Sequence, residues 1–375
     1  IKNAGDQNRG WAVQDSMRGM VVGGADQRIQ WNDNGAEGAD NGIAPTPTGF
    51  QVESTSTFYN ANGHDYIYMA IRRGPLAAPT DATKVFAIDS GENSSDPRFT
   101  SNFPVDFAFV SYTTGGSHYS SARLIQGKEL LFNSTAAEGS GSNYNFQFSN
   151  GWVAGSVGNN AISWMWKRAP SYFDVVAYTG TGSARTVPHG LQKVPEMMWV
   201  KPRETGLASS DWWVFHKDLS TPADDSLVLN SSGAENTGNG ALLWNSTMPT
   251  SSVFSLGTYN GINQSGRAYI AYLFATVAGV SKVGSVAPTG SALNVDCGFT
   301  NGARFVLMKR TDSTGEWFVW DSVRGIVSGN DPWLALDSTS SETTNTDYID
   351  PHSSGFALTS SFYGSGSNFI FYAIA

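Results

Sequence analysis

The chain has 375 residues, a formal net charge of −9, 15% charged and 13% aromatic side chains, and 41 glycines. An acidic chain lacks the electropositive face that sequence-independent nucleic-acid binding needs, its aromatic content excludes disorder, and no apolar run approaches the roughly 18 residues of a spanning helix. One cysteine, Cys297, excludes an intrachain disulfide, so stability must come from apolar cores and from oligomerisation.

In chain order, the first predicted strand opens Trp11-Ala-Val-Gln-Asp-Ser-Met-Arg-Gly19, and Trp317-Phe-Val-Trp-Asp-Ser-Val-Arg-Gly325 repeats it near the far end. Gly49-Phe50 matches Gly355-Phe356, and Tyr66-Ile-Tyr-Met-Ala-Ile71 matches the closing Phe369-Ile-Phe-Tyr-Ala-Ile374. Two more copies lie between. One shows Leu130-Leu-Phe-Asn133 and Ser163-Trp-Met-Trp166, the other Trp212-Trp-Val-Phe-His216, Leu227-Val-Leu-Asn230 and Tyr269-Ile-Ala-Tyr-Leu-Phe274. Units open near Lys84-Val85, Asp174 and Lys282-Val283. Each reads as six to eight short strands divided by turn signals such as Asn62-Gly63, Asn150-Gly151, Asn260-Gly261 and Asn301-Gly302, with few and short helices.

The expected fold is all-β, a tandem array of β-sandwich domains of jelly-roll or lectin-like type. It has one incomplete repeat (1–80) and three complete ones (81–172, 173–279 and 280–375). The joins Ala169-Pro-Ser-Tyr-Phe-Asp174 and Ala275-Thr-Val-Ala-Gly-Val280 are short and apolar and predict a rigid row, with Arg72 to Ala82 as a looser joint. Trp11 stands close to Ile1, whereas Trp317 comes well after Lys282, so the first unit is expected to lack its opening strands. Either the chain is part of a longer polypeptide, or a neighbouring molecule donates those strands.

The strings Lys167-Arg-Ala-Pro-Ser-Tyr-Phe-Asp-Val-Val-Ala-Tyr-Thr-Gly-Thr-Gly182, Pro195-Glu-Met-Met-Trp-Val-Lys-Pro-Arg203, Gly279-Val-Ser-Lys-Val-Gly284 and Phe305-Val-Leu-Met-Lys-Arg-Thr-Asp312 resemble the repeat domain of tail-fibre-like virion structural proteins of marine tailed phages. The resemblance implies a virion surface or tail-fibre role and brings no catalytic residues.

The residues themselves nominate no chemistry. Asp15 with Arg18 and Asp321 with Arg324 suit a turn-closing pair, and the other copies place His216 and Arg123 at that point, so no shared reaction depends on the acid. Glycosidase work needs two converging carboxylates, but Glu37, Asp40, Glu138, Glu235 and Glu342 sit in polar loops. His64, His118, His189, His216 and His352 stand alone, no metal site is expected, and Cys297 reads as a buried inert thiol. Asn32 to Asp40 carries oxygen ligands suited to calcium without the EF-hand spacing, and a plain turn is preferred. Asn93, Asn133, Asn230, Asn245 and Asn263 head sequon-like triplets of the kind a Ser/Thr-rich chain produces by chance. Trp152, Trp164, Trp166, Trp244 and Trp333 are candidates to stack on sugar rings, against the alternative that they fill cores.

The functional expectation is therefore a non-enzymatic fibre segment at the virion surface, assembled in the host cytoplasm, with no cofactor. Its expected partners are copies of itself, three chains favoured, other virion proteins and a host surface glycan of unknown identity. A carbohydrate-binding adhesin is the alternative, and a polysaccharide depolymerase stands behind both.

Overall fold

Strands that are apolar on both faces decide the architecture. In Phe107–Tyr112, successive side chains leave opposite faces, and both sets are buried: Phe107 and Phe109 on one side, Ala108 and Val110 on the other. Met197–Pro202 divides in the same way, with Met197 and Trp199 against Met198 and Val200. So does Phe305–Arg310, with Phe305 and Leu307 against Val306 and Met308. A strand buried twice needs a cover on each side, and the chain supplies both.

The computed structural model describes residues 1–72, 74, 77–91, 95–140, 143–155, 158, 160–204, 206 and 209–375. The protein is nearly all β, in small antiparallel sheets, with two four-residue helical turns at Gly240–Leu243 and Asn260–Asn263 among the described residues. The second replaces the simple turn expected at Asn260-Gly261.

Three five-stranded sheets share one strand order. The first runs Phe86–Ser90, Ala161–Trp166, Phe107–Tyr112, Tyr119–Ala122, Leu130–Leu131. The second runs Phe173–Thr179, Ala268–Phe274, Met197–Pro202, Trp213–His216, Leu227–Val228, and the third Ser281–Val286, Phe369–Ile374, Phe305–Arg310, Trp317–Asp321, Leu334–Ala335. In each, the last strand in sequence lies beside the first, and a two-residue strand forms the rim.

The inner faces of all three sheets meet in one continuous core. Aromatic contacts close a triangle across it. Phe107 of the first sheet lies 4.4 Å from Tyr272 of the second, Phe274 of the second 5.1 Å from Tyr372 of the third, and Phe305 of the third 5.5 Å from Trp166 of the first, ring centre to ring centre. Each large apolar side chain so buried contributes ~1.5–3 kcal/mol. Every outer face carries a core of its own, covered in turn by Tyr144–Asn145, Gly151–Ala154 and Phe99–Thr100, by Arg185–Pro188 with Val253–Leu256, and by Leu293–Asp296, Gly355–Leu358 and Ile349–His352.

The expected row is thus a closed ring, and the joins explain why. Ala169 and Phe173 exchange backbone hydrogen bonds, as do Val277 and Ser281, so the chain reverses within three residues instead of running on. Gly279 takes φ +71° in the second reversal and Ser171 takes φ +62° at the matching place in the first. A left-handed residue is what lets so short a turn close.

The pairing register also corrects two alignments. Ile88, Val175 and Val283 are the equivalent opening positions, each facing the closing strand at Trp164, Tyr272 or Tyr372. Lys84-Val85 belongs to a short turn, Ala82–Lys84, before the strand begins. Asp321 and His216 match Ala122, because each faces the first residue of its neighbouring strand, and Arg123 falls one place later.

Residues 1–80 form smaller sheets: Lys2–Asn3 with Tyr66–Ile67, Ala12–Val13 with Asp26–Gln30 and Gly38–Asp40, and Ile43–Thr46 with Gly49–Val52. This segment rests on the ring through its 16–22 loop. Val22 N donates to Leu124 O (2.9 Å), Arg203 Nη1 to Val22 O (3.1 Å) and Arg123 Nη1 to Ser16 O (3.2 Å). The looser joint expected over Arg72 to Ala82 falls partly outside the described residues.

Candidate functional site

The side chains that meet with the most order are those at the three joints of the ring. In the second sheet, Trp212 Nε1 donates to Leu131 O on the rim strand of the first (2.8 Å). In the third, Trp317 Nε1 donates to Val228 O on the rim strand of the second (3.0 Å). The first sheet closes the circle with His118, whose Nε2 lies 2.8 Å from both Ala335 O and Ser338 O of the third. His118, Trp212 and Trp317 each precede the residue that pairs with Leu131, Val228 or Ala335, so the three joints are equivalent.

A buried lysine supports two of these joints. Lys201 Nζ donates to Ser134 O (3.3 Å) and Lys309 Nζ to Ser232 O (3.2 Å) and Gly233 O (2.8 Å), in each case on the sheet before. Burial pulls Lys201 down to about 7 and Lys309 to about 8. The third joint has Ser111 at the lysine position, and its hydroxyl lies 2.7 Å from His118 Nδ1. With Ser111 donating to Nδ1, the Nε2 proton of a neutral ring is left for the two carbonyls. Burial, against the pull of those carbonyls, lowers the His118 pKa. One histidine there serves the two carbonyls that Trp212 and Lys201 serve at the equivalent joint.

A backbone bond completes each joint. Glu138 N donates to Arg203 O, Glu235 N to Thr311 O and Glu342 N to Thr113 O, all at 2.9 Å. Glu138 also pairs with Arg203 (2.7 Å), and Glu342 with Arg324 (3.0 Å). These acids are joint residues and not the solvated loop residues expected of them.

The first segment reproduces much of the third sheet's half of a joint. Trp11 N donates to Asn32 Oδ1 (2.8 Å) as Trp317 N does to Asp337 Oδ1 (2.9 Å). Asp15 accepts from Met17 N and Arg18 N as Asp321 accepts from Val323 N and Arg324 N. Arg18 reaches Asp15 and Glu37 as Arg324 reaches Asp321 and Glu342. The Asp–Arg pair therefore closes a turn in both places. Among the described residues of the first segment no covering sheet follows it, and Trp11 and Trp31 with Asn32 line an open hollow.

The remaining candidates resolve into structure. Trp152, Trp164, Trp166 and Trp244 are buried and offer no face to a sugar, and Trp333 packs half-buried against Phe318. Asp40 is taken by Arg28 (2.7 Å) and Tyr59, Asn32 by Trp11, and Asp33 by its own turn at Gly35. Among the described residues no three His, Cys, Asp or Glu side chains gather. Cys297 is buried, and burial pushes its thiol up to about 12. His216 is buried and held neutral, with a pKa pulled down to about 3. Asn133 and Asn230 accept the backbone hydrogen bonds of the joint residues His118 and Trp212, and Asn263 is buried. Asn93 lies outside the described residues.

Residues 81–375 match the family model described as a domain of unknown function, DUF7483. The match spans all three five-stranded sheets as one domain. No curated protein matches the chain.

Proposed function

We propose that this chain, which belongs to the DUF7483 family, is a non-enzymatic structural component of a bacteriophage virion, a tail-fibre or surface-fibre segment. In this reading, residues 81–172, 173–279 and 280–375 are three β-sandwich repeats and residues 1–80 a fourth, incomplete one. The observation that carries the proposal is where the polar side chains go. His118, Trp212, Trp317, Lys201 and Lys309 are all spent on joining one sheet to the next around the shared core. Such an arrangement suits a load-bearing spacer and leaves those groups unavailable for chemistry.

The phage assignment rests on the resemblance of the 167–182, 195–203, 279–284 and 305–312 strings to virion repeat domains. It carries assembly with further copies and with other virion proteins, a place on the particle surface, and contact with a host glycan. A threefold core within one chain supplies a symmetry that three chains would otherwise supply. The adhesin and depolymerase readings lose ground because the five candidate tryptophans and the loop acids are engaged in packing and in joints. Gold-labelled antibody against the 81–375 ring, viewed on purified particles by electron microscopy, tests the proposal. Label along a fibre is expected, and particles that carry none of the chain would overturn it.

A further inference from the structure

The exposed apolar face of the first segment has a buried counterpart, residue by residue, within the ring. Lys2 pairs with Ile67 as Lys309 pairs with Ile370, and Ala12 pairs with Gln30 as Phe318 pairs with Ala335. This register sets Trp11 on Trp317, Trp31 on Leu336, Met69 on Tyr372 and Ile71 on Ile374. In the ring those four positions lie in the shared core at 0–1% exposure. In the first segment they are 41% (Trp11), 64% (Trp31), 71% (Met69) and 82% (Ile71) exposed. A contiguous apolar surface of this kind marks an interface.

What covers it is legible from the ring. Trp317 is covered by the rim of the second sheet at Val228, and Phe274 of that sheet lies against Tyr372. Phe305, in the strand beside Ile374, lies against Phe86 and Trp166 of the first sheet. Among the described residues Tyr68 to Ile71 also lack strand pairing, whereas Phe371 to Ile374 are paired on both sides, by Ser281–Gly284 and Phe305–Met308. The face therefore needs two further inner faces and strands beside it.

We infer that the exposed face of residues 1–80 is the seat of the rest of a second ring of this family, polypeptide equivalent to residues 81–307. The first segment then acts as the closing part of that ring, the equivalent of residues 308–375. Its 16–22 loop already rests on Leu124 and Arg203, so two rings joined in this way stand head to tail with a fixed contact between them. This rests on the fibre reading, which it deepens by naming the joint.

The test places residues 81–307 directly ahead of Ile1, which stands where Met308 stands, so that one strand continues into the next. Peroxide oxidation of Met69, read by peptide mass, is compared between this extended chain and the 375-residue chain. The expected result is a monomeric two-ring protein in which Met69 oxidises at least about tenfold more slowly, with Trp31→Asp restoring its reactivity. Equal reactivity of Met69 in both chains overturns the inference. So does an added segment that stays protease-sensitive beside an intact ring, because the same sequence folds against the equivalent face of residues 308–375. Concentration-dependent protection of Met69 in a trimer of the 375-residue chain overturns it in favour of further copies of the first segment. None of these outcomes bears on whether particles carry the chain, so the fibre reading stands or falls separately.

Discussion

Ser111 and His118 occupy, in the joint that closes the ring, the positions held elsewhere by a lysine and a tryptophan. A serine hydroxyl 2.7 Å from Nδ1 fixes the ring so that its other nitrogen reaches two carbonyls. Changing either residue alone breaks that arrangement. Ser111→Lys drives an ammonium into a buried histidine, and His118→Trp leaves Ser338 O with only the longer bond from Asn133 Nδ2 (3.4 Å); each is expected to cost ~1–3 kcal/mol. The pair of changes together rebuilds the lysine–tryptophan joint of the other two interfaces. Urea unfolding of the four chains should therefore give a favourable coupling of at least ~1 kcal/mol, and strict additivity would sink the equivalence of the three joints. His118 could be read from sequence only as an isolated histidine. Its match to Trp212 and Trp317 comes through strand register, which no local spacing carries.

The strands themselves were legible and their arrangement was not. Apolar runs such as Phe305-Val-Leu-Met308 announce burial on both faces, and the matching strings announce equivalent elements. The short joins at Ala169–Asp174 and Ala275–Val280 predict straight couplings, because apolar residues in a short connector suggest packing. Their reversal depends on the left-handed Ser171 and Gly279, and a serine gives no warning of that conformation. The buried lysines were hidden for a related reason: Lys201 and Lys309 end apolar strands, where a charge normally meets solvent. Their depressed values make a testable pH signature. Below about pH 7 the folded and unfolded chains both hold these protons, and stability is level on this account. Between about pH 7 and 10 the unfolded chain keeps protons, at a lysine value near 10.4, that the folded chain has released, so stability rises with pH. Cys297 and the buried tyrosines, held up by burial, work in the opposite sense at higher pH. Asp26 and Asp337, pushed up to about 7 by burial, oppose the rise until they ionise, so the window is pH 8 to 9, where a gain of roughly 1–2 kcal/mol is expected. Chemical denaturation should show that rise, and the Lys201→Met/Lys309→Met double variant should flatten most of it.

At the scale of the molecule, one core serving three sheets changes what a single side chain can do. In a row of independent units each unit would keep its own stability, and damage to one would stay there. Here Trp199, 1% exposed, lies 5.6 Å from Phe132 of the first sheet and 4.7 Å from Phe274 of its own. Phe274 in turn touches Tyr372 of the third sheet. The DUF7483 match across 81–375 runs over all three sheets without a break, which suits a unit that exists only when closed. Trp199→Ala removes ~3–5 kcal/mol of packing from this core. Global opening should then become easier by a similar amount for strands 107–112, 197–202 and 305–310 alike, read as matched losses of amide-exchange protection in all three. Loss confined to 197–202 would mean that the sheets open one at a time, and the closed ring would then be a contact between separate domains and not a single folding unit.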